Sequence, residues 1–306
     1  MFKRVEEDST SRKNEEKTRI AEDLRRQYPL KTILEVIGLA RSTFYHNLDR
    51  MREPDKDSEL KLKMLEIREA HPNYGLRRIH AVLKMDEEIN IKKVHRLYKE
   101  LGMQIKTKKT RKPYTFLGSL KDIPNRIKRR FDSTMPNLKL FTDTTYVKIY
   151  KDKENYTWAY LNAFIDGFDR KIISYNVVDN MRKEPFIDLA KETIRKTNNA
   201  EYRRTFHSDQ GIIYFSKEYQ DLLKENNIYQ SMSRKGNCLD NSVIESFWSV
   251  IKREKLSKTK FKSLEQLQKA VDEFVEYYNN TRIKEKNNYL SPNEKRAKYY
   301  EEKERA

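Results

Sequence analysis

The sequence contains few of the residues that mark several familiar classes of protein. Its 306 residues include one cysteine, Cys238, which excludes a disulfide framework and any cysteine-rich zinc module and makes a reducing interior the simplest environment. The 7 glycines and 8 prolines are scattered without a fixed period, which disfavours a solenoid or a low-complexity chain. A regular globular protein remains.

Long hydrophobic runs are also missing. The most apolar segment, Tyr156 to Phe168, is interrupted by Asn162 and Asp166 and falls short of the ~20 residues that a bilayer requires. The charged stretch from Met1 to Lys17 lacks the apolar part of a secretory signal, so we do not expect export by that route. We expect a cytoplasmic protein without a membrane partner.

Acidic residues are outnumbered by basic ones. The 65 lysines and arginines exceed the 47 aspartates and glutamates by 18, and the sequence pI is about 9.6. An excess of this size indicates a polyanionic partner, and nucleic acid is a better candidate than a membrane surface. At ~150 residues per domain, the length allows about two domains and a sizeable core.

The first apolar pattern has a helical period. Between Ile20 and Leu48 apolar residues recur at helical spacing, with an interruption at Gly38 and a restart at the capping pair Ser42 and Thr43. The pattern predicts a helix, a tight turn and a second helix, which can lie in the major groove of DNA. A plain helical hairpin fits the same pattern equally well. In the DNA-binding alternative, the second helix presents Arg41, Tyr45, His46 and Asn47.

A second helical group follows Pro54. One helix contains Leu60 to Ile67, another spans Tyr74 to Leu83, and a third is capped by Asn90 and ends at Gly102. The polar side of the third helix is almost uniformly basic. Such a stripe is usually a solvated face, but charges of one sign favour contact with phosphates. The basic residues on that side are Lys92, Lys93, Arg96 and Lys99.

The basic run continues beyond this helix. Between Ile91 and Arg130 there are 14 basic residues and two acidic ones. Pro113 and Pro124 favour an extended chain over a helix in the later part of this run. We interpret residues 106–135 as a basic linker that follows DNA phosphates, and a linker that is merely solvated is the alternative.

The pattern changes after Pro136 from helical to extended. Three segments rich in β-branched and aromatic residues, separated by short polar turns, predict a three-stranded meander. Helices and short strands then alternate up to a long helix from about Asn241, so we expect a mixed sheet with helices on its faces. A last helix is expected from the capping-box residue Ser263 to about Tyr278. The strands are predicted at Leu138 to Tyr150, Tyr156 to Phe168, Lys171 to Val178, Arg204 to His207 and Tyr229 to Met232.

Three acidic residues stand where this topology converges. Asp143 lies within the first strand, Asp209 follows the fourth strand, and Glu245 lies on the first turns of the long helix, with 35 residues between the last two. An acid inside an apolar strand is costly to bury and persists beside something positive. Carboxylates are hard oxygen ligands, which suit Mg²⁺ or Mn²⁺ better than zinc. The pattern therefore predicts a divalent-metal site.

These residues belong to an ordered set of motifs that resembles a known family. The set resembles the IS-three family of bacterial insertion-sequence transposases, in particular the product of that family's second reading frame. The resemblance covers nearly the whole chain, with Leu140 and Lys284 in place of a tryptophan and a histidine common in the family. The motifs are YGLRRIH at 74–80, KKVHRLYKELGM at 92–103, TDTTY at 142–146, HSDQG at 207–211, GNCLDNSVIESF at 236–247, Lys252, YYNNTR at 277–282 and LSP at 290–292.

The resemblance implies a fold and an activity. It implies an α/β, RNase H-like mixed sheet with a retroviral-integrase-like core, preceded by an all-α helix-turn-helix DNA-binding region. It also implies a DDE-type polynucleotidyl transferase that cleaves the ends of an insertion sequence and joins them to target DNA. The expected domains are a helix-turn-helix region (1–55), a second helical DNA-binding domain (56–105), the basic linker (106–135), the catalytic core (136–258) and a C-terminal helical extension (259–306).

The resemblance also assigns the site and its partners. The family's catalytic acids correspond to Asp143, Asp209 and Glu245, and a two-metal scheme for direct attack on phosphorus uses two Mg²⁺ or Mn²⁺ ions. The partners are double-stranded DNA, as terminal inverted repeats and target, further copies of the chain on DNA, and the product of an upstream reading frame. A bacterial, nucleoid-associated location follows.

Several basic and aromatic residues are expected to bind DNA. Lys252 follows Glu245 by seven residues, which returns it to the same side of the helix, so we expect it to reach a phosphate beside the cut. A solvated lysine is the alternative. The other expected contacts are Arg41, Tyr45, Arg77, Arg78, Lys92, Lys93, Arg96 and Arg282.

Two other functions share these features. A non-catalytic DNA-binding regulator on the same fold is disfavoured because all three acids are present. A metal-dependent nuclease shares the core, but helical units that choose the site separately favour a transposase.

Four further polar residues are expected to be structural. Asp166 and Asp169 flank a turn, where aspartate is ordinary, and His207 is expected to pack in the interior rather than to transfer protons. Asp240 is expected to cap the helix that carries Glu245.

Overall fold

The computed structural model describes residues 14–52, 55–86, 88–105, 123–152, 155–198, 200, 202–234 and 237–305. The chain forms two compact units, Met1–Glu66 and Ile67–Ala306. No helix among these described residues is both long and apolar enough to cross a membrane.

The described residues 14–52 of the first unit form three helices where the sequence pattern predicts two. They are α1 (14–24), α2 (Leu30–Ile37) and α3 (Arg41–Arg52). The predicted turn between α2 and α3 is confirmed, because Gly38 adopts φ 62° and ψ 53°, a left-handed conformation that glycine allows at little cost. The buried side chains that hold the helices together are Ala21, Ile33, Leu34, Leu39, Phe44 and Leu48.

Three further helices follow. They are α4 (Ser58–Ala70), which crosses the boundary between the units, α5 (Leu76–Asp86) and α6 (Ile91–Glu100). The predicted cap of α6 is confirmed, since the Asn90 side chain accepts a hydrogen bond from the backbone N–H of Lys92 at 2.9 Å. The chain leaves α6 through Gly102 at φ 62°.

A five-stranded mixed sheet forms the centre of the second unit. Its order is β3-β2-β1-β4-β5, with β1 antiparallel to β2, β2 antiparallel to β3, and the pairs β1/β4 and β4/β5 parallel. This arrangement confirms the predicted fold class. The strands are β1 (Lys139–Tyr150), β2 (Tyr156–Asp166), β3 (Ile172–Val178), β4 (Thr205–Ser208) and β5 (Tyr229–Met232).

Helices cover both faces of the sheet, as alternation of strands and helices predicts. On one face, α7 (Lys183–Lys196) and α8 (Lys217–Glu225) bury Phe186 and Tyr219 against Phe164. On the other face, α9 (Ser242–Glu254) packs against β1 and β2, and α10 (Leu264–Asn280) packs against β3. The second layer bears on the predicted site because α9 carries Glu245.

The C-terminal part departs from expectation. The capping box at Ser263 is confirmed, since its side chain accepts a hydrogen bond from Gln266 N–H at 3.2 Å, but α10 is not the last helix. A further helix, α11 (Pro292–Arg305), follows it. Arg296 on α11 binds the buried carboxylates of Asp166 and Asp169 at 2.5 and 2.6 Å, which confirms their structural role.

The basic segment before β1 also differs from a plain linker. Residues 106–122 of the predicted linker lie outside the described residues. Residues 123–135, in contrast, pack on the core: Ile127 is buried and the backbone N–H of Arg126 donates to Ser231 Oγ at 2.9 Å. Asn125 and Arg129 both donate to the carboxylate of Asp240. This half of the segment is therefore part of the core, which corrects the linker interpretation there.

Candidate active site

The parallel pairing of β1 with β4 places two of the predicted acids side by side. In that register Phe141 lies opposite His207. Asp143 follows Phe141 by two residues and Asp209 follows His207 by two, so the two acids lie at the same level along the neighbouring strands. Because side chains two positions apart along a strand share a face, both carboxylates lie on the face that carries Phe141 and His207, whose ring centroids are 5.6 Å apart. The convergence predicted for these two residues is confirmed.

Glu245 approaches the two aspartates from the first turn of α9. The helix buries Val243, Ile244 and Phe247 against the sheet. Glu245 and Lys252 lie on its exposed side, as the helical period predicts. Burial and the charge of Asp209 raise the pKa of Glu245, and the charge of Lys252 opposes that rise.

Protein donors fix the orientation of two carboxylates. Trp248 lies one helical turn after Glu245 and is buried, and its indole N–H donates to Asp143 Oδ2 at 2.9 Å. The backbone N–H of Gly211 donates to Asp209 Oδ1 at 2.9 Å. Sequence reasoning missed Trp248. Its position three residues after Glu245 was the available signal, because residues three apart are neighbours on a helix.

Burial raises the pKa of each of the three acids. Burial raises the pKa of Asp143 to about 7, and the charges of Asp209 and Glu245 add to the rise. Asp209 and Glu245 are exposed in part to solvent, yet burial by the surrounding protein raises their pKa values too. Burial of its stem lowers the pKa of Lys252, while the charges of Asp143 and Glu245 oppose that change.

The donor chemistry of this site fits a divalent cation. Three carboxylates that repel one another gain most from a hard positive ion, and oxygen is the ligand that Mg²⁺ prefers. Among the described residues, no three acidic, histidine or cysteine side chains are already gathered into a group that could enclose a metal ion.

The neighbouring His207 and Asp240 are held by the protein. His207 is buried, with Nδ1 at 2.8 Å from Ser231 Oγ and Nε2 at 2.9 Å from the Asp240 carbonyl, and burial lowers its pKa to about 4. This confirms the packing role. The expectation that Asp240 caps α9 is wrong, because its carboxylate binds the guanidinium groups of Arg129 and Arg234 and their hydrogen bonds lower its pKa.

The residues expected to bind DNA fall into two sets. On α3, Arg41 and Tyr45 are exposed and stack, with the guanidinium carbon 5.8 Å from the ring centroid. Asn47, from the same expectation, is buried and donates to Thr18 Oγ1 at 3.1 Å, so it cannot reach DNA in this conformation. The exposed basic residues of α6 are Lys92, Lys93 and Arg96, and Arg96 pairs with Glu100 at 3.6 Å.

The expectation for Arg282 is wrong. Its side chain is 2% exposed and binds Glu254, with Nε–Oε2 and Nη2–Oε1 distances of 2.9 and 2.7 Å. Arg78 donates to the carbonyl of Ile283 at 3.0 Å, and the exposed Arg77 pairs with Glu285 at 3.0 Å. The segment 281–285 therefore holds the start of α5 within the second unit.

Curated relatives match nearly the whole chain. The putative transposase InsK for insertion sequence element IS150 of Escherichia coli (strain K12) is 37% identical over 92% of this chain and 98% of its own length. A transposase-like protein of Haemophilus influenzae is 39% identical over 67% of this chain and 92% of its own length. Among solved structures, the HTLV-2 integrase catalytic core in complex with magnesium superposes with a TM-score of 0.37 at 18% identity, covering 49% of this chain and 92% of that one.

Family models match the second unit and part of the helical region. The integrase core domain matches residues 133–238, a second integrase core model matches 245–299, and an HTH-like domain matches 54–111. The protein is thus a polynucleotidyl transferase with an integrase core and a DNA-binding helical domain. It belongs to the family of insertion-sequence transposases, which confirms the resemblance to the IS-three family.

Proposed function

We propose that Asp143, Asp209 and Glu245 are the catalytic acids of this transposase and that together they hold two Mg²⁺ or Mn²⁺ ions. The observation that supports this is the convergence of β1, β4 and α9, which brings three carboxylates of like charge together. Bound there, the ions would supply charge stabilisation for direct attack of water or a DNA 3′-hydroxyl on phosphorus.

The chain's own residues orient this chemistry. Trp248 fixes the rotation of the Asp143 carboxylate, so the other carboxylate oxygen remains for a cation. Gly211 N–H does the same for Asp209. No side-chain nucleophile is needed, because the attacking oxygen comes from water or DNA.

A strand-transfer assay tests the proposed function. The full chain is incubated with Mg²⁺ and a duplex taken from the DNA that flanks its coding region, together with a circular target. We expect 3′-end cleavage and a joined product that EDTA prevents. Hydrolysis without joining would support a simple nuclease, and binding without cleavage would support a regulator.

Lys252 offers the first specific prediction. Lys252→Ala should weaken end binding and slow strand transfer without affecting folding, because a charge beside the scissile phosphate is lost, and the log–log salt slope should fall by about 0.9. Lys252→Arg should keep much of the activity. Lys255→Ala is the matched control, since Lys255 pairs with Glu273 at 2.8 Å. Full activity of Lys252→Ala at physiological salt would leave Lys252 as a solvated side chain.

Trp248 offers the second. Trp248→Phe keeps a ring in the core but removes the donor to Asp143, so the Mg²⁺ concentration for half-maximal activity should rise about 10- to 100-fold, as for other residues that orient metal ligands. Tyr175→Phe is the matched control, because it also keeps a ring while removing an aromatic donor to a carboxylate, that of Asp272, which is not one of the three acids. An unchanged Mg²⁺ titration for Trp248→Phe would contradict the positioning role.

We propose that the helical region chooses the DNA site. Base readout requires a helix in the major groove, and Arg41 and Tyr45 are exposed on α3. Lys92, Lys93 and Arg96 on α6 would contact phosphates, as would Arg77 at the start of α5.

Two full-length variants separate these roles. Arg41→Ala should lower the preference for the element-end duplex over a random duplex by about 5- to 150-fold, which is one lost base contact. Lys92→Ala should weaken both duplexes equally, because phosphates carry no sequence. Equal loss on both duplexes for Arg41→Ala would assign that residue to the backbone.

We further propose that the chain acts as a homo-oligomer on DNA, since two element ends must be joined to one target. Cooperation with an upstream-frame product and a cytoplasmic, nucleoid-associated location in bacteria follow from the same family. The net charge of +18 supports association with DNA.

A further inference from the structure

An exposed row of aromatic and basic side chains lies on the β1–β2 hairpin. β4 pairs with Lys139–Phe141 and β3 pairs with Tyr160–Ile165. Within the described residues, β1 and β2 therefore continue beyond the five-stranded sheet as a two-stranded ribbon. One face of this ribbon is buried through Val147, Ile149 and Ala159.

The opposite face carries the row, which we call the aromatic ladder. Cross-strand pairing joins Tyr146 to Tyr160, Lys148 to Trp158 and Tyr150 to Tyr156. Tyr146 is 51% exposed, Trp158 44% and Tyr156 41%, which is unusual for rings of this size. The ladder consists of Tyr146, Lys148, Tyr150, Tyr156, Trp158 and Tyr160.

Positive charge is built into the ladder. Lys148 Nζ lies 3.7 Å from the centroid of the Tyr156 ring and 5.6 Å from that of Trp158. Lys260 Nζ lies 5.4 Å from the centroid of Tyr150. Cations over ring faces, beside open rings, form a surface that complements a phosphate backbone and unpaired bases.

The ladder begins three residues beyond Asp143 along β1. Because this offset is odd and the register has no bulge, Tyr146 points to the opposite face of the strand from Asp143, about 10 Å further along it. Burial together with the charges of Asp143 and Asp209 raises the pKa of Tyr146. From Tyr146 to Tyr150 the strand covers about 14 Å. At a base repeat of ~3.4 Å, that length accommodates about four nucleotides.

From the open rings and their cations we propose that the aromatic ladder binds a short unpaired segment of DNA, with Tyr146 and Trp158 stacking on bases and Lys148 and Lys260 contacting phosphates. The proposal rests on the proposed function, since a strand end must enter the acidic site. The ladder would hold frayed nucleotides of the end duplex while that strand end enters the site.

A purely structural ladder explains less. Cross-strand aromatic pairs do stabilise hairpins. The buried face of the ribbon already packs on the core, however, and the backbone N–H of Tyr150 bonds the Phe261 carbonyl at 2.8 Å. A second copy of the chain could also cover the open rings, but lysines within the row favour a polyanion.

The test measures binding in EDTA, so it does not depend on the catalytic acids. The full chain is titrated against a dye-labelled oligothymidylate of about ten nucleotides and against a blunt duplex, by fluorescence anisotropy. Trp158→Ala and Tyr146→Ala should each weaken oligothymidylate binding about tenfold or more and change duplex binding less than about threefold. Trp158→Phe should keep most of the affinity, because a ring remains.

Other outcomes would overturn the proposal. Equal weakening on both probes would mean that the ladder contacts only phosphates. Unchanged oligothymidylate binding, with loss of a concentration-dependent dimer, would assign the face to a second copy of the chain. If the alanine variants unfold at a lower temperature than the wild type, Trp158→Phe, Lys148→Gln and Lys260→Gln replace them in the test. Both glutamine variants must weaken the oligothymidylate complex. Unchanged binding in either one would refute the phosphate contacts. Tyr28→Ala, at a tyrosine 58% exposed in the first unit, is the matched control.

The two hypotheses fail separately. Inactive Asp209→Asn with normal ladder binding would leave both intact, whereas full activity of Asp209→Asn would refute the catalytic assignment without touching the anisotropy result. Normal oligothymidylate binding by Trp158→Ala would refute the ladder and leave the catalytic acids in place.

Discussion

Asp143→Asn, Asp209→Asn and Glu245→Gln should each lower the rate of strand transfer by about 1,000-fold or more in Mg²⁺, equivalent to at least ~4 kcal/mol of lost transition-state stabilisation. Each change removes a negative ligand but leaves the side-chain volume almost unchanged. DNA affinity should stay the same or increase, because phosphates would meet less negative charge. Pre-cut ends isolate the joining step, and a wild-type rate in any of the three would refute the assignment of that acid.

The same variants should be more stable than the wild type, although they are less active. The three carboxylates repel one another, and the pKa of Asp143 is raised to about 7 without a cation. A raised carboxyl pKa means that the charged form costs stability, and this cost appears as pH rises through the folded pKa. Asp143→Asn should therefore be more stable than the wild type above pH ~7 in EDTA, and the difference should disappear in acid. Thermal melting at pH 5 and pH 8 measures this; a destabilised variant at both pH values would indicate that Asp143 is held by packing alone.

Much of the architecture follows from local sequence patterns. The change from period 3.6 to extended segments after Pro136 predicts the meander, and the cap residues Asn90 and Ser263 mark helix starts correctly. The convergence of Asp143 and Asp209 is predictable because residues at the same level of two neighbouring parallel strands lie close together. The geometry of the acids could therefore be anticipated, while their catalytic role stays a prediction.

What sequence reasoning missed depends on contacts between distant residues. The Trp248 N–H bond to Asp143 spans 105 positions and requires the packing of α9 on β1. Helix α11 escaped notice because its sequence is polar on nearly every side, so no apolar stripe identifies it. Its anchor, Arg296, finds Asp166 and Asp169 about 130 residues away.

Basic residues show the same limit most clearly. Because arginine is usually exposed, a DNA-binding role is the natural prediction for each arginine of a basic chain. Arg129 and Arg234 instead neutralise the buried Asp240, and Arg282 neutralises the buried Glu254. Burial cannot be read from residue type, because it requires a carboxylate that only the fold brings near.

Arg282→Met should destabilise the second unit by up to about 3–5 kcal/mol at neutral pH, because it leaves the buried carboxylate of Glu254 with only the more exposed Arg253, at 3.3 Å. Burial by itself raises the pKa of Glu254, but the hydrogen bonds and charge of Arg282 outweigh burial and hold that pKa below its ordinary value. Urea unfolding measures the loss. The matched control is Arg77→Ala: its exposed pair with Glu285 has a similar distance, yet should contribute no more than about 1 kcal/mol.

The pH dependence distinguishes an unpaired charge from a simple packing defect. In the wild type, the lowered pKa of Glu254 gives stability that is present above ~4.3 and is lost as pH falls through the folded pKa. In Arg282→Met the folded pKa should instead rise, so the deficit should shrink as acid neutralises Glu254. The double variant Arg282→Met with Glu254→Leu should recover most of the loss at neutral pH, since no charge remains buried. A deficit that is equal at pH 4.5 and 7.5, and is not rescued by the second change, would show that Arg282 acts through packing rather than through its charge.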